Sequence, residues 1–150
     1  MKIIGIDPDL HKSGYAVYET ETKALITCQS LFMWDLFKEI RKLHGEAVMS
    51  KKQVFIRLEY PQNTNTYHAG GKGAAINVGK NQAVAIIIAE FLEKNEIPFE
   101  KLYPAGYSQT FRDEKYFKMV TKFESKTNQD ARAAAAMCFG YVPRKYNQVI

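Results

Sequence analysis

Residues 53–59, Gln-Val-Phe-Ile-Arg-Leu-Glu, read as a strand whose Val54, Phe55, Ile56 and Leu58 put apolar groups on both of its faces. Such a strand suits the centre of a sheet that is covered on both sides. The rest of the chain must then supply its neighbours and its cover. Lys2 to Asp7 is a second buried strand by its β-branched content, and Gly14 to Tyr18 alternates as another after a turn through Asp9 to Ser13. Lys23 to Ser30 completes an antiparallel meander, and Phe32 to His44 spaces Phe32, Leu36, Ile40 and Leu43 as a crossover helix. Ile76 to Asn95 is helical and apolar on almost every face. Pro98 to Tyr103 is a short strand, Asp113 to Phe123 a basic amphipathic helix, and Asn128 to Tyr141 an alanine-rich helix. The expected order is β-β-β-α-β-α-β-α-α. It describes an α/β fold, a five-stranded mixed sheet with helices on both faces.

At 150 residues, 46% hydrophobic and 25% charged, the chain fits one domain over residues 1–150 and leaves no room for a two-lobed enzyme. Its longest apolar run, Ala83 to Ala89, falls far short of the roughly 20 residues that span a bilayer. The opening apolar run is cut by Asp7, too early for a signal-peptide core. Cys28 and Cys138 lack motif spacing and read as buried thiols of a reducing compartment, so a cytoplasmic protein is expected. The net charge of +5 comes from the last third of the chain, where Lys115, Lys118, Lys122, Lys126 and Arg132 recur. That stripe suits either a polyanionic partner or a solvated helix face.

Acids at the ends of apolar elements are the unusual feature, because a lone buried carboxylate is costly. Asp7 ends the first strand, Glu59 ends the fourth, and Asp130 opens the alanine-rich helix. If strands one and four are neighbours, the first two acids share one sheet edge and a helix packed there brings the third. Taken singly, Asp7 before Pro8 also reads as a turn acceptor, and Asp130 as an acid favoured at a helix start. Together they form a set of hard oxygen ligands suited to Mg²⁺ or Mn²⁺. His11, His44 and His68 show no paired spacing, which argues against zinc. Between Tyr60 and Ala75 the composition turns to Asn, Thr, Gly, Lys and Tyr, a long surface loop of the kind that carries function or disorder.

In this order and spacing the motifs resemble the RuvC-type Holliday-junction resolvases of the RNase H-like, or retroviral-integrase, superfamily. Ile4-Gly5-Ile6-Asp7-Pro8 running on to Gly14-Tyr15-Ala16-Val17 is similar to the family's first motif, and Leu58-Glu59 to its second. Asn77 to Ala85 is similar to the start of its long central helix, Asp113-Glu114-Lys115 to its basic helix, and Asn128 to Ala133 to its last acidic motif. The resemblance implies an RNase H-like domain with Asp7, Glu59 and Asp130 as metal-binding carboxylates. The family's fourth acid falls at Thr127, so a neutral oxygen, water or Asp9 must complete the coordination. Asp9 itself stands where the family usually has Gly.

What the resemblance implies chemically is phosphodiester hydrolysis by two Mg²⁺ or Mn²⁺ ions about 4 Å apart. Asp7 would bridge them, Glu59 and Asp130 would each hold one, and Lys115 would approach the scissile phosphate. Nucleic-acid contacts are expected from Tyr60, Tyr67 and Lys72 in the loop, Lys80 on the long helix, and Lys115, Lys118, Lys122 and Arg132. The substrate implied is branched DNA, a four-way junction, cut by paired symmetric nicks during recombination and repair. Symmetric nicking needs two active sites, and with the surplus apolar face of the Ile76 to Asn95 helix it leads us to expect a two-fold homodimer. No membrane and no nucleotide cofactor are expected. The alternatives are a related nuclease acting on RNA or an RNA·DNA hybrid, and a catalytically weakened junction-binding protein.

Overall fold

The computed structural model describes residues 1–60, 71–103 and 106–143. Strands β1 (Lys2–Asp7), β2 (Ser13–Glu19) and β3 (Ala24–Leu31) form the expected antiparallel meander. Helix α1 (Met33–Met49) crosses over to β4 (Val54–Glu59), which pairs parallel to β1. Helix α2 (Gly71–Lys94) leads to β5 (Phe99–Leu102), parallel to β4. The sheet order is β3-β2-β1-β4-β5, so β1 and β4 are both interior and adjacent. Three helices follow: α3 (Tyr107–Thr110), α4 (Glu114–Thr121) and α5 (Gln129–Cys138).

Strand alternation splits the core into two layers. Ile4, Ile6, Val17, Ile56 and Leu58 pack under α1 and α2 with Leu36, Ile40, Val84, Ile88 and Leu92. Ile3, Ala16, Tyr18 and Cys28 face the other way, against Ala131, Ala134, Ala135 and Cys138 of α5 and against Phe111 and Phe117. The alanines let α5 lie unusually close to the strands. A Cβ built on Gly5 would sit 1.9 Å from the Ala134 carbonyl oxygen, and one on Gly14 would sit 2.1 Å from that of Asp130.

The sequence reading differs from the structure in four helices. Helix α2 starts at Gly71, inside the stretch that reads as loop, despite the weak helix propensity of its glycines. Helix α1 runs on past His44 to Met49, where Ala47 is buried and Ser50 Oγ donates to the Glu46 carbonyl at 2.7 Å. The short α3 has no periodicity long enough to be read. Helix α5 ends at Cys138, ahead of Gly140, whose φ of 73° is left-handed.

The close approach of α5 generates a prediction. Gly5→Ala and Gly14→Ala each force a methyl into a backbone carbonyl and should destabilise the protein by at least about 3 kcal/mol, at the upper end of overpacking costs. Urea denaturation checks this, and a shift below about 1 kcal/mol would mean that α5 is not seated as described.

Candidate active site

The register of β1 on β4 sets Ile6 beside Leu58, so the next residues, Asp7 and Glu59, end the two strands side by side. Alternation turns both toward α5, since Ile6 and Leu58 face the opposite layer. Asp7 also pairs with Gly14 across β2, and Gly14 is the residue against which the Asp130 backbone rests. Three acids distant in sequence therefore meet at one corner of the sheet.

Electrostatics at that corner are unbalanced. Burial, a hydrogen bond to Glu59, and the charges of Glu59, Asp130 and Asp9 push the Asp7 carboxyl up to about 9. Asp130 is raised too, by desolvation and by Asp9. No lysine or arginine among the described residues forms a salt bridge with Asp7, Glu59 or Asp130. Nor do three or more His, Cys, Asp or Glu side chains among the described residues already close into a metal cage. The Asp7–Glu59 pair is in contact, while Asp130 and Asp9 act on it across space.

Asn128 sets the orientation of Asp130. Its side chain caps α5 by accepting from the Ala131 N–H at 2.9 Å, and its amide donates to Ser30 Oγ on β3 at 2.7 Å. Below the acids, Arg57 ties β4 to the end of α5. It bonds Glu100 at 2.5 Å, donates to the Met137 carbonyl at 2.6 Å, and lies 3.6 Å from the Tyr141 ring centre.

Several expected contact residues fall elsewhere. Arg132, expected at nucleic acid, is buried, and its guanidinium donates to the carbonyls of Phe111, Arg112 and Thr127 and to Thr127 Oγ1. It is a bracket between α5 and the segment before α4, because a buried guanidinium must satisfy its donors internally. Thr127 is likewise committed, its hydroxyl to Arg132 at 3.1 Å and its backbone N–H to Glu114. Tyr60 packs against the α1/α2 core layer with Lys101 Nζ 4.7 Å from its ring centre, so it is anchored to the body. Lys118 is ion-paired with Glu114 at 3.3 Å. Lys115, Lys122 and Lys80 are exposed, while Tyr67 and the Lys72 side chain lie outside the described residues. The structure also brings forward Lys12 and Phe32, whose twenty-residue separation hides their pairing until the β2–β3 register is known; Lys12 Nζ lies 4.5 Å from the Phe32 ring centre.

No protein-family model and no curated protein matches the chain. Among solved structures it is similar to T. thermophilus RuvC, in a structure of that protein in complex with a Holliday junction substrate. The TM-score is 0.55 at 15% sequence identity, over 93% of this chain and 90% of that one. The likeness is one of fold, and the chain has the RNase H-like fold.

A carboxyl whose pKa is raised on folding stabilises the native state below its unfolded value near 3.8, and that stability is lost as pH rises toward about 9. The metal-free protein should therefore melt at falling temperature from pH 5 to pH 8.5. Asp7→Asn should melt higher than the parent at pH 8 and show a flatter profile. Thermal unfolding in EDTA checks both; a variant less stable than the parent at pH 8 would make Asp7 a structural residue.

Proposed function

We propose that the protein is a metal-dependent, structure-selective endodeoxyribonuclease that resolves four-way DNA junctions by paired nicks. The observation that carries this reading is the Asp7–Glu59 carboxyl pair at the ends of β1 and β4, half-buried beside Asp130 with no salt-bridged cation among the described residues. A cell of like charges in a folded protein is tolerable when a cation is its intended occupant. The RNase H-like fold and the junction bound by the similar T. thermophilus protein support the choice of substrate.

The donor set is all hard oxygen, which fits Mg²⁺ or Mn²⁺. Asp7 and Glu59 would hold the metal together, and Asp130 would approach from the first turn of α5. Of the two candidates for a fourth ligand, Asp9 fits better. Its charge already acts on both Asp7 and Asp130, whereas Thr127 is taken up by Arg132 and Glu114. Bound divalent ions would supply an activated water and neutralise charge on the leaving oxygen. Lys115, exposed on the first turn of α4, is free to approach the scissile phosphate, while its neighbour Lys118 is held by Glu114.

Incubation with a synthetic mobile four-way junction should give Mg²⁺- or Mn²⁺-dependent symmetric nicks. Asp7→Asn should lower the rate by at least about 10³-fold, the order of a lost electrostatic centre, and leave junction binding nearly intact. Binding without nicking by the parent protein would support the non-cleaving alternative, and preferential cleavage of an RNA·DNA hybrid would move the substrate to RNA.

Pairing of nicks calls for two copies of the chain. Helix α2 leaves Ile76, Ile86 and Ile87 exposed at 57%, 40% and 46%, a row that a second α2 would cover in an isologous dimer. Light scattering should give twice the 17.2 kDa chain mass. Ile87→Glu should yield monomers that bind the junction but lose coordinated nicking, and a parent protein monomeric both alone and on DNA would defeat the dimer.

A further inference from the structure

The nuclease reading leaves one feature of the acidic corner unused. Phe32 follows β3 with extended backbone, φ −61° and ψ 152°, so the alternation of the strand continues through it. Ser30, two residues earlier, bonds Asn128 of α5, which places Phe32 on the same side of the sheet as Asp7 and Asp130. Ser30 pairs with Gly14, and Gly14 pairs with Asp7, so the Phe32 backbone lies about two strand spacings across and two residues beyond Asp7, roughly 12 Å away. Phe32 is 54% exposed, and the ammonium of Lys12 sits against its ring at 4.5 Å. Leu10, at 48% exposure, belongs to the same β1–β2 turn.

An exposed phenylalanine on a polar rim needs a reason, and so does a lysine spent on an aromatic ring beside four acids. Asp9, the nearest anion in sequence, instead accepts from the His11 N–H at 2.9 Å and forms no salt bridge with Lys12. The ring of Phe32 is the contact the structure gives that ammonium. We propose that Lys12 and Phe32 form a nucleotide-binding pair flanking the acidic site, Phe32 stacking on an exposed base and Lys12 pairing with a neighbouring phosphate. The occupant is a DNA strand continuous with the one whose phosphate enters between Asp7 and Asp130. With a rise of about 3.4 Å per nucleotide, the pair meets that strand within about four nucleotides of the cut. Bases near a branch point are the ones free to unstack, and aromatic faces accept any base, so the pair would favour distorted over continuous duplex. The other candidate occupant is a second copy of this chain, which the mass measurement below tests.

This inference rests on the nuclease reading, and its test separates the two. Fluorescence anisotropy in EDTA measures binding of the full chain to a labelled four-way junction and to a linear duplex across a salt series. Phe32→Ala should weaken junction binding about tenfold and Phe32→Tyr should restore it to within about twofold. Lys12→Ala should reduce the slope of log affinity against log salt by about 0.9, the value for one lost phosphate contact. Both residues are exposed, and melting temperatures confirm folding; should Phe32→Ala unfold, the Lys12→Ala slope decides alone. Parent protein that binds the junction while both alanine variants match it in affinity and slope overturns the pair and leaves the nuclease reading standing. Parent protein that neither binds nor cuts any nucleic acid overturns both. A Phe32→Ala variant with unchanged DNA affinity but a changed sedimentation mass overturns the pair by assigning the ring to a protein contact.

Discussion

The seating of α5 on the sheet is the contact on which the rest of the molecule depends. Two positions without side chains, Gly5 on β1 and Gly14 on β2, let the carbonyls of Ala134 and Asp130 come closer than any Cβ would permit. Around them Ala131, Ala134 and Ala135 keep the helix face thin, and the Cys28 and Cys138 thiols fill the remaining space, donating to the carbonyls of Ala131 and Ala16 at 3.3 and 3.8 Å. Small residues bury little area each, so close packing here contributes through dispersion and exclusion of water more than through hydrophobic surface. Its consequence is positional. A helix held one methyl farther out would draw Asp130 away from Asp7 and weaken its effect there.

The two ends of α5 are fixed by polar contacts that complement this packing. At its start Asn128 joins the helix cap to Ser30, and Arg132 gathers the carbonyls that lead into α4. At its end Arg57 spans β4, Glu100 and the Met137 carbonyl. A cation at a helix C-terminus is favourable by itself, and here it also relates Glu59, two residues along β4, to the helix that carries Asp130. Positioning of the acids thus relies on two arginines, neither of which touches them.

The fold was largely legible in the sequence because its strands are strongly patterned. Both-face apolarity marked β4 as interior, and short turns made the meander nearly obligatory. The corner of acids could be read for the same reason: strand ends are well defined, so Asp7 and Glu59 had known places once the strand order was guessed. The burial of Arg132 is not legible, because charge spacing along a helix cannot distinguish a solvated cation from one whose donors find carbonyls twenty residues away. The start of α2 is hidden in the sequence because Gly71 and Gly73 have low helix propensity. Lys12 and Phe32 could not be paired at all until the register of β2 on β3 was available.

Thr127 shows how a change at one position is absorbed by its surroundings. A carboxylate there would face the Arg132 guanidinium and the Glu114 side chain together, gaining from the first and opposing the second. Threonine instead accepts from Arg132 through its hydroxyl and donates its backbone N–H to Glu114, so the arginine, the glutamate and the loop before α5 are satisfied without a further charge. A further negative charge acting on Asp7 and Asp130 is supplied by Asp9 on the β1–β2 turn. That turn also carries Lys12, so the same five-residue connection that adds an acid to the site holds a cation at its rim. An acid that adds to the anionic charge of the corner and a lysine proposed to meet an approaching phosphate are thus carried by a single turn, which Asp9 and Ser13 close through two hydrogen bonds.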